Sequence, residues 1–311
     1  MKGWRRGRPT EICSYEGEIV RRSGRFAVVS DLQRTSHAEV WRESNRDERE
    51  RVLEEIAREG PDFVAVLGDL VFRGSSAAEW RDLDRVCAPL RDARVPVLPV
   101  LGNHEYWVSR RGVLPQFFAR FPHLEKQHWY SVPYGPLGLV FLDSNLRWLP
   151  AVRWQEQLGW FERELSRLDE DPEVRGALVF LHHPPFTNST VTADEKHVQR
   201  FFVPPFSRAR KTLAMVSGHV HSYERFDRGG KTFLVTGGGG GPRVRLATGA
   251  RRRHEDDLFS GPPVRPFHFL MFSLGSGGLD VEVKGVEKKG REFRVIDRFL
   301  LPWPASARMT S

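Results

Sequence analysis

The segment Pro99-Val-Leu-Gly-Asn-His-Glu105 stops an apolar run at a glycine and follows it with an amide, an imidazole and a carboxylate: Asn103, His104 and Glu105. Side chains of these types bind metal ions, orient anions and move protons. The arrangement recurs along the chain. Asp31 ends the run Arg25–Asp31, Asp69 ends Pro61–Asp69, His182 and His183 follow Gly176–Leu181, and His219 and His221 follow Leu213–Ser217. Any one of these has an ordinary explanation, since aspartate is common in turns and a single histidine is commonly structural. Together they converge, because open α/β sheets gather their sites at the carboxyl ends of the strands. A mixture of carboxylate, amide and imidazole suits borderline-to-hard metal ions, and the lack of thiolates argues against a structural zinc site. One carboxylate can bridge two ions, as hydrolytic two-metal sites require.

The elements that must position these groups follow from hydrophobic periodicity. Helices are expected over 44–59, 75–93 and 153–169, the last from Trp154, Leu158, Phe161, Leu165 and Leu168 on one face. The apolar runs above, with 138–145 and 231–236, are the strands between them. Region 109–137 is aromatic and irregular and is expected to cover one side of the site. The polar insertion 186–208, with Asn188 and His197, is the expected selector of substrate. Gly237–Gly241 closes in no Gly-Lys-Ser/Thr, so it reads as a post-strand loop or a close backbone approach, with Arg243 as an anion contact. After residue 262 the texture changes to successive strands over 267–274, 279–286 and 293–300. The expectation is an arm or edge hairpin over 1–24 and one domain over 25–311, with 262–311 completing the second of two packed sheets.

The composition is that of a soluble globular protein, 40% hydrophobic and 28% charged. Of 48 basic residues only eight are lysine, and the arginines behind the net charge of +8 are scattered rather than clustered. Scattered arginine speaks against a nucleic-acid partner. Cys13 and Cys87 do not make a disulfide framework. No apolar run approaches membrane-spanning length and no leader-like apolar stretch follows the basic start, so the expected location is cytoplasmic and no membrane partner is expected.

The blocks Ser30-Asp-Leu-Gln33, Gly68-Asp69-Leu-Val-Phe72, Gly102-Asn-His-Glu105, Val179-Phe-Leu-His182 and Gly218-His-Val-His-Ser-Tyr-Glu-Arg225 resemble, in order, those of the calcineurin-like metallophosphoesterases. Within that family the resemblance is nearest to the purple acid phosphatases. It implies a four-layer α/β/β/α sandwich of two mixed sheets flanked by helices, with a dinuclear metal site at the rim. Carried over position by position, Asp69 would bridge the metals. Asp31 and His221 would bind the first; Asn103, His182 and His219 would bind the second. His104 would assist the leaving group, and a metal-bridging hydroxide would attack phosphorus. His183, Asn103 and His104 are the expected substrate contacts.

Two positions depart from the family pattern. Gln33 stands where most members have a histidine, and Phe72 stands where purple acid phosphatases have a tyrosine ligand. The first site is therefore expected to be oxygen-rich, with the Gln33 amide or His37 filling in, and to lack a tyrosinate-to-iron(III) colour. Two divalent ions, of manganese, iron, zinc or magnesium, are the implied cofactors. A phosphomonoesterase acting on a small-molecule phosphoester ranks first. A phosphodiesterase or nucleotidase with the same site ranks second, and a non-catalytic phosphate- or partner-binding domain ranks third. Asp143 is a candidate to orient a site histidine, and Tyr223-Glu224-Arg225 reads as a salt-bridged turn.

Overall fold

The computed structural model describes residues 19–35, 43–107 and 114–304. Most of the expected arm 1–24 lies outside the described residues, as do Cys13 and His37. Arg22, Ser23 and Gly24 are within them, and their backbone N–H groups donate to the Asp62 carboxylate.

The first sheet contains β1 (Arg25–Val29), β2 (Val64–Val66), β3 (Val97–Pro99), β10 (Phe267–Leu274), β11 (Gly278–Val286) and β12 (Arg294–Pro302), in the spatial order β12-β11-β10-β1-β2-β3. The second contains β4 (Tyr130–Tyr134), β5 (Leu137–Phe141), β6 (Gly176–Phe180), β7 (Thr212–Ser217), β8 (Tyr223–Arg228) and β9 (Lys231–Thr236), in the order β4-β5-β6-β7-β9-β8. Both sheets are mixed: β1, β2 and β3 run parallel, as do β5, β6, β7 and β9, and antiparallel strands flank each set.

The C-terminal meander completes the first sheet, not the second. β10 lies antiparallel to β1, with Arg25 opposite Ser273. The reason is edge availability. β1 pairs with β2 on one side only, and β10 takes the other.

Eight α-helices are described: α1 (Arg46–Glu59), α2 (Ala77–Val86), α3 (Ala88–Asp92), α4 (Asn103–Tyr106), α5 (Pro115–Arg120), α6 (Ala151–Glu170), α7 (Lys196–Phe201) and α8 (Val203–Arg208). The single helix expected over 75–93 is divided at Cys87, because Pro89 has no N–H to continue the ladder and instead starts α3. The insertion 186–208 contributes α7 and α8, which pack beside α6.

Alternation along the strands separates three apolar layers. Ala27 and Val29 face α1, α2 and α3, while Phe26 and Val28 face the second sheet. Val140, Val179 and Met215 face α6, α7 and α8. This makes four layers, α/β/β/α, with strands buried on both faces and hence written as near-continuous apolar runs. At the centre Phe26 stacks between Phe63 (4.7 Å) and Phe272 (4.9 Å). Truncating such a ring to alanine costs about 3–5 kcal/mol. No helix among the described residues is long and apolar enough to cross a membrane.

Candidate metal centre

Each parallel strand ends in a tight turn at one rim of the sandwich. Asp31, Asp69 and His219 have positive φ, at 62°, 51° and 65°, a conformation uncommon for non-glycine residues and concentrated at functional sites. The turns are stitched together: Asp31 N–H donates to Gly68 O, Gln33 N–H to Asp69 O, and Gly218 N–H to His182 O. Two glycines permit the approach. A Cβ on Gly102 would lie 2.2 Å from Asp69 Oδ1, and one on Gly218 would lie 1.9 Å from Ser30 Oγ.

The backbone fixes how the histidines present themselves. His182 Nδ1–H donates to Leu67 O (2.7 Å), His221 Nδ1–H to Pro242 O (2.8 Å), and His104 Nδ1–H to Phe72 O (2.7 Å). A carbonyl can only accept, so in the neutral ring each Nε2 is left as a lone pair. The His182 Nε2 lone pair faces Asp69 Oδ2 (3.3 Å), Asn103 Oδ1 (3.1 Å) and His219 Nδ1 (3.2 Å). That of His221 faces Asp31 Oδ1 at 3.3 Å, an oxygen buried without a hydrogen-bond partner.

Gln33 completes the second cluster. One terminal amide atom lies 2.9 Å from Asp69 O and 3.2 Å from Asp31 O, and next to two carbonyls it must be the nitrogen. The amide oxygen is then the atom 3.1 Å from His221 Nε2. With His221 neutral, three acceptors, Asp31 Oδ1, Gln33 Oε1 and His221 Nε2, converge in a buried place with no donor among the described residues. A cation answers that arrangement, and the donor set fits the ions expected from the sequence. Asp31, Asp69 and His182 form one group that could hold a metal ion, and His182, His183 and His219 form another.

The electrostatics agree. Burial opposes a charge on His182, but Asp69 outweighs it and moves the imidazole up to about 9. At His221 burial again opposes and Asp31 favours the charge, with the balance upward. Burial and His182 push His219 down to about 4, and burial with His219 holds His183 well below the usual range. The carboxylates thus draw positive charge to the rim, while two imidazoles remain neutral and able to ligate.

The structure brings Asp31, Gln33, Asp69, Asn103, His182, His219 and His221 together, with His104 beside them. Backbone N–H of His104 donates to Asp69 Oδ1 (2.9 Å), and its Nε2 lies 3.8 Å from Asp69 Oδ2. Phe72 packs on the His104 ring at 5.0 Å. His183 has Nδ1 2.8 Å from Ser144 Oγ and its ring 4.7 Å from that of His219. His183 therefore belongs to the imidazole cluster as well as to the approach to it.

Several sequence expectations resolve differently. Asp143 accepts from Tyr106 Oη (2.6 Å) and lies 3.1 Å from His128 Nδ1, so it orients a histidine outside the rim set. Arg243 is engaged by Glu43 (2.8 Å) and is not an open anion contact. Gly237–Gly241 is buried against the rim, with Gly241 N–H donating to Asp31 O (2.6 Å). Tyr223-Glu224-Arg225 is not a turn but the start of β8: Tyr223 and Arg225 hold Asp297, and Glu224 accepts from Thr187 Oγ1 and Asn188 N–H.

Glu105, given no role from sequence, is the main addition. It accepts the backbone N–H groups of Asp69 (2.9 Å), Leu70 (2.8 Å) and Gly102 (2.7 Å). Burial and Asp69 push it up to about 8, while three donors aimed at its lone pairs favour the carboxylate. It clamps the Asp69 turn to the Asn103 turn. A glutamate three residues after a helix-starting glycine is the available signal, since that position reaches back to the N-terminal N–H.

The family described as calcineurin-like phosphoesterase matches residues 24–223. Purple acid phosphatase 22 of Arabidopsis thaliana is 26% identical over 266 residues, covering 82% of this chain and 57% of that protein. The chain spans about half the length of the curated relatives it matches. Among solved structures, purple acid phosphatase PPD1 of Lupinus luteus aligns with a TM-score of 0.64 at 18% identity, over 90% of this chain and 54% of that one. GAP50 of Plasmodium, described as the anchor in the inner membrane complex, aligns with a TM-score of 0.69 at 16% identity, over 91% and 90%. At such identities these structures establish the fold alone.

Proposed function

The chain belongs to the calcineurin-like phosphoesterase family, and on that premise we propose that it is a metal-dependent hydrolase of phosphoesters, phosphomonoesters first. The observation that carries this reading is the convergence of Asp31 Oδ1, Gln33 Oε1 and, in the neutral ring, His221 Nε2, buried and with no other donor among the described residues. Asp31, Gln33 and His221 would hold one divalent ion and Asn103, His182 and His219 a second, with the Asp69 carboxylate within reach of either. When bound, the two ions supply Lewis acidity, which acidifies water at neutral pH and neutralises charge on the phosphoryl group.

The remaining chemistry belongs to side chains. With Nδ1–H committed to Phe72 O, His104 can donate from Nε2 only as the imidazolium. In that form it stabilises charge on the phosphoryl oxygens and delivers a proton to the leaving oxygen. Asn103 and His183, which line the adjacent cavity, are the further substrate contacts. Phe72 supplies no ligand and instead supports the His104 ring. An oxygen-rich first site favours manganese, iron(II) or magnesium beside zinc.

The test is turnover of an aryl phosphate and a bis-aryl phosphate with each metal in turn. The expected result is chelator-sensitive monoester hydrolysis, reduced most by Asp69→Asn and strongly by His104→Ala. Faster turnover of the diester would move the assignment to a phosphodiesterase. Tight metal binding without turnover of either would contradict the proposal and favour a binding role.

A further inference from the structure

Beside the imidazole cluster opens a cavity of about 630 Å3, whose lining includes Asn103, His183 and His219 and also Arg147 and Trp148. That volume is in the range of sites that enclose a whole small molecule, and far exceeds what a phosphate group needs. Within that lining Trp148 stands out. Trp148 is 41% exposed although it is a large apolar residue. Its ring lies parallel to that of Tyr106, at 8° and 5.9 Å between centroids. Tyr106 is itself fixed, buried and donating to Asp143. Arg147, next in sequence, lines the same cavity and lies within electrostatic reach of Glu195. The carboxylate nearest in the same cavity, Glu195, is engaged by His197 Nδ1 at 2.6 Å.

Trp148 is rigidly tied to the centre. Asn145 Nδ2–H donates to Leu101 O (2.9 Å) and to Asp143 Oδ1 (2.7 Å), and Asn145 O accepts the N–H groups of Trp148 (2.9 Å) and Leu149 (3.1 Å). Leu101 lies two residues before Asn103. The aromatic face is therefore held at a fixed offset from the candidate ligands, which is the requirement for reading a substrate's shape. An exposed, backed indole beside a guanidinium recognises a planar ring with an anionic substituent.

We propose that Trp148 and Arg147 form a specificity site that stacks a planar aromatic ring of the phosphoester and favours an anionic group on that ring. This inference rests on the phosphoester chemistry proposed for the neighbouring centre. Aromatic phosphoesters are thus the substrate class, in preference to phosphates of small aliphatic alcohols.

The test is binding of non-hydrolysable phosphonates to manganese-loaded protein by titration calorimetry, with aryl phosphate turnover measured on the same preparation. Wild type is expected to bind phenylphosphonate about tenfold tighter than methylphosphonate, as ring stacking would provide. A carboxylate on the ring is expected to add a further two- to fivefold, about the worth of one exposed ion pair. Trp148→Ala should bring the phenyl-to-methyl ratio close to one and Trp148→Phe should restore most of it. Arg147→Ala should remove only the carboxylate preference. A phenyl-to-methyl ratio near one in wild type, or a ratio unchanged in Trp148→Ala, overturns the inference even where turnover is normal. The expected ratios without turnover would retain the ring site and remove the hydrolytic reading.

Discussion

The two sheets bring unlike chemistry to the same rim. The first contributes oxygen donors, Asp31, Gln33, Asp69 and Asn103, from the ends of β1, β2 and β3. The second contributes imidazoles, His182, His183, His219 and His221, from the ends of β6 and β7. Neither sheet alone offers a mixed ligand set, and each proposed ion draws from both. The lesson is that the centre is a product of sheet-on-sheet packing. Phe26 and its stacked neighbours fix the spacing at which oxygen meets nitrogen, and a bound ion would in turn link the sheets.

The largest effect is expected at Asp69, the side chain proposed to serve both ions. Asp69→Asn should lower kcat/KM by about a thousandfold and leave less than one metal per chain by elemental analysis. Two retained ions with nearly normal turnover would mean the halves do not depend on a shared carboxylate. Next is the clamp beneath the oxygen donors. Glu105→Gln sets an amide NH2 against backbone N–H donors, and should cost about 1–3 kcal/mol of stability and about 10–100-fold in metal affinity. Urea titration with parallel metal titration checks both.

A smaller change separates the two halves. Gln33→Leu removes an oxygen donor from one of them, and should weaken binding of the first manganese or magnesium ion about tenfold while leaving the imidazole-rich half able to take zinc. Equal losses for both ions would erase the distinction. The smallest effect is in the pH dependence of the metal-free protein. The folded His182 stands at about 9 against an ordinary 6.5, so its protonation contributes stability that is complete below 6.5 and lost as pH rises through 9. The metal-free melting temperature should therefore fall across that window. Metal affinity should rise across it, because binding displaces the proton.

Much of this was legible in the sequence where the physics is local. β1, β2, β3, β5, β6, β7 and β9 are apolar runs because they are largely buried, and β1, β2, β3, β6 and β7 run into the polar groups of the rim. β4 and β8 were not legible. They are the two edges of the second sheet, and edge strands carry proline or charge: Tyr-Ser-Val-Pro-Tyr in one and Tyr-Glu-Arg-Phe-Asp-Arg in the other. Missing them also misdirected the C-terminal meander. Within the rim, residue types and order identified the converging side chains, but orientation required tertiary contacts. Only the carbonyls of Asp69 and Asp31 reveal which way the Gln33 amide points, and only three distant N–H groups give Glu105 its place.

The central claim is that Asp69 joins two neighbouring ion sites built across the two sheets. Electron paramagnetic resonance of the manganese-loaded protein tests it most directly. Two ions per chain with an exchange-coupled multiline spectrum, reverting to an isolated six-line signal in His221→Ala, is the predicted result. A single isolated manganese signal at saturating metal in the unmodified protein would contradict it.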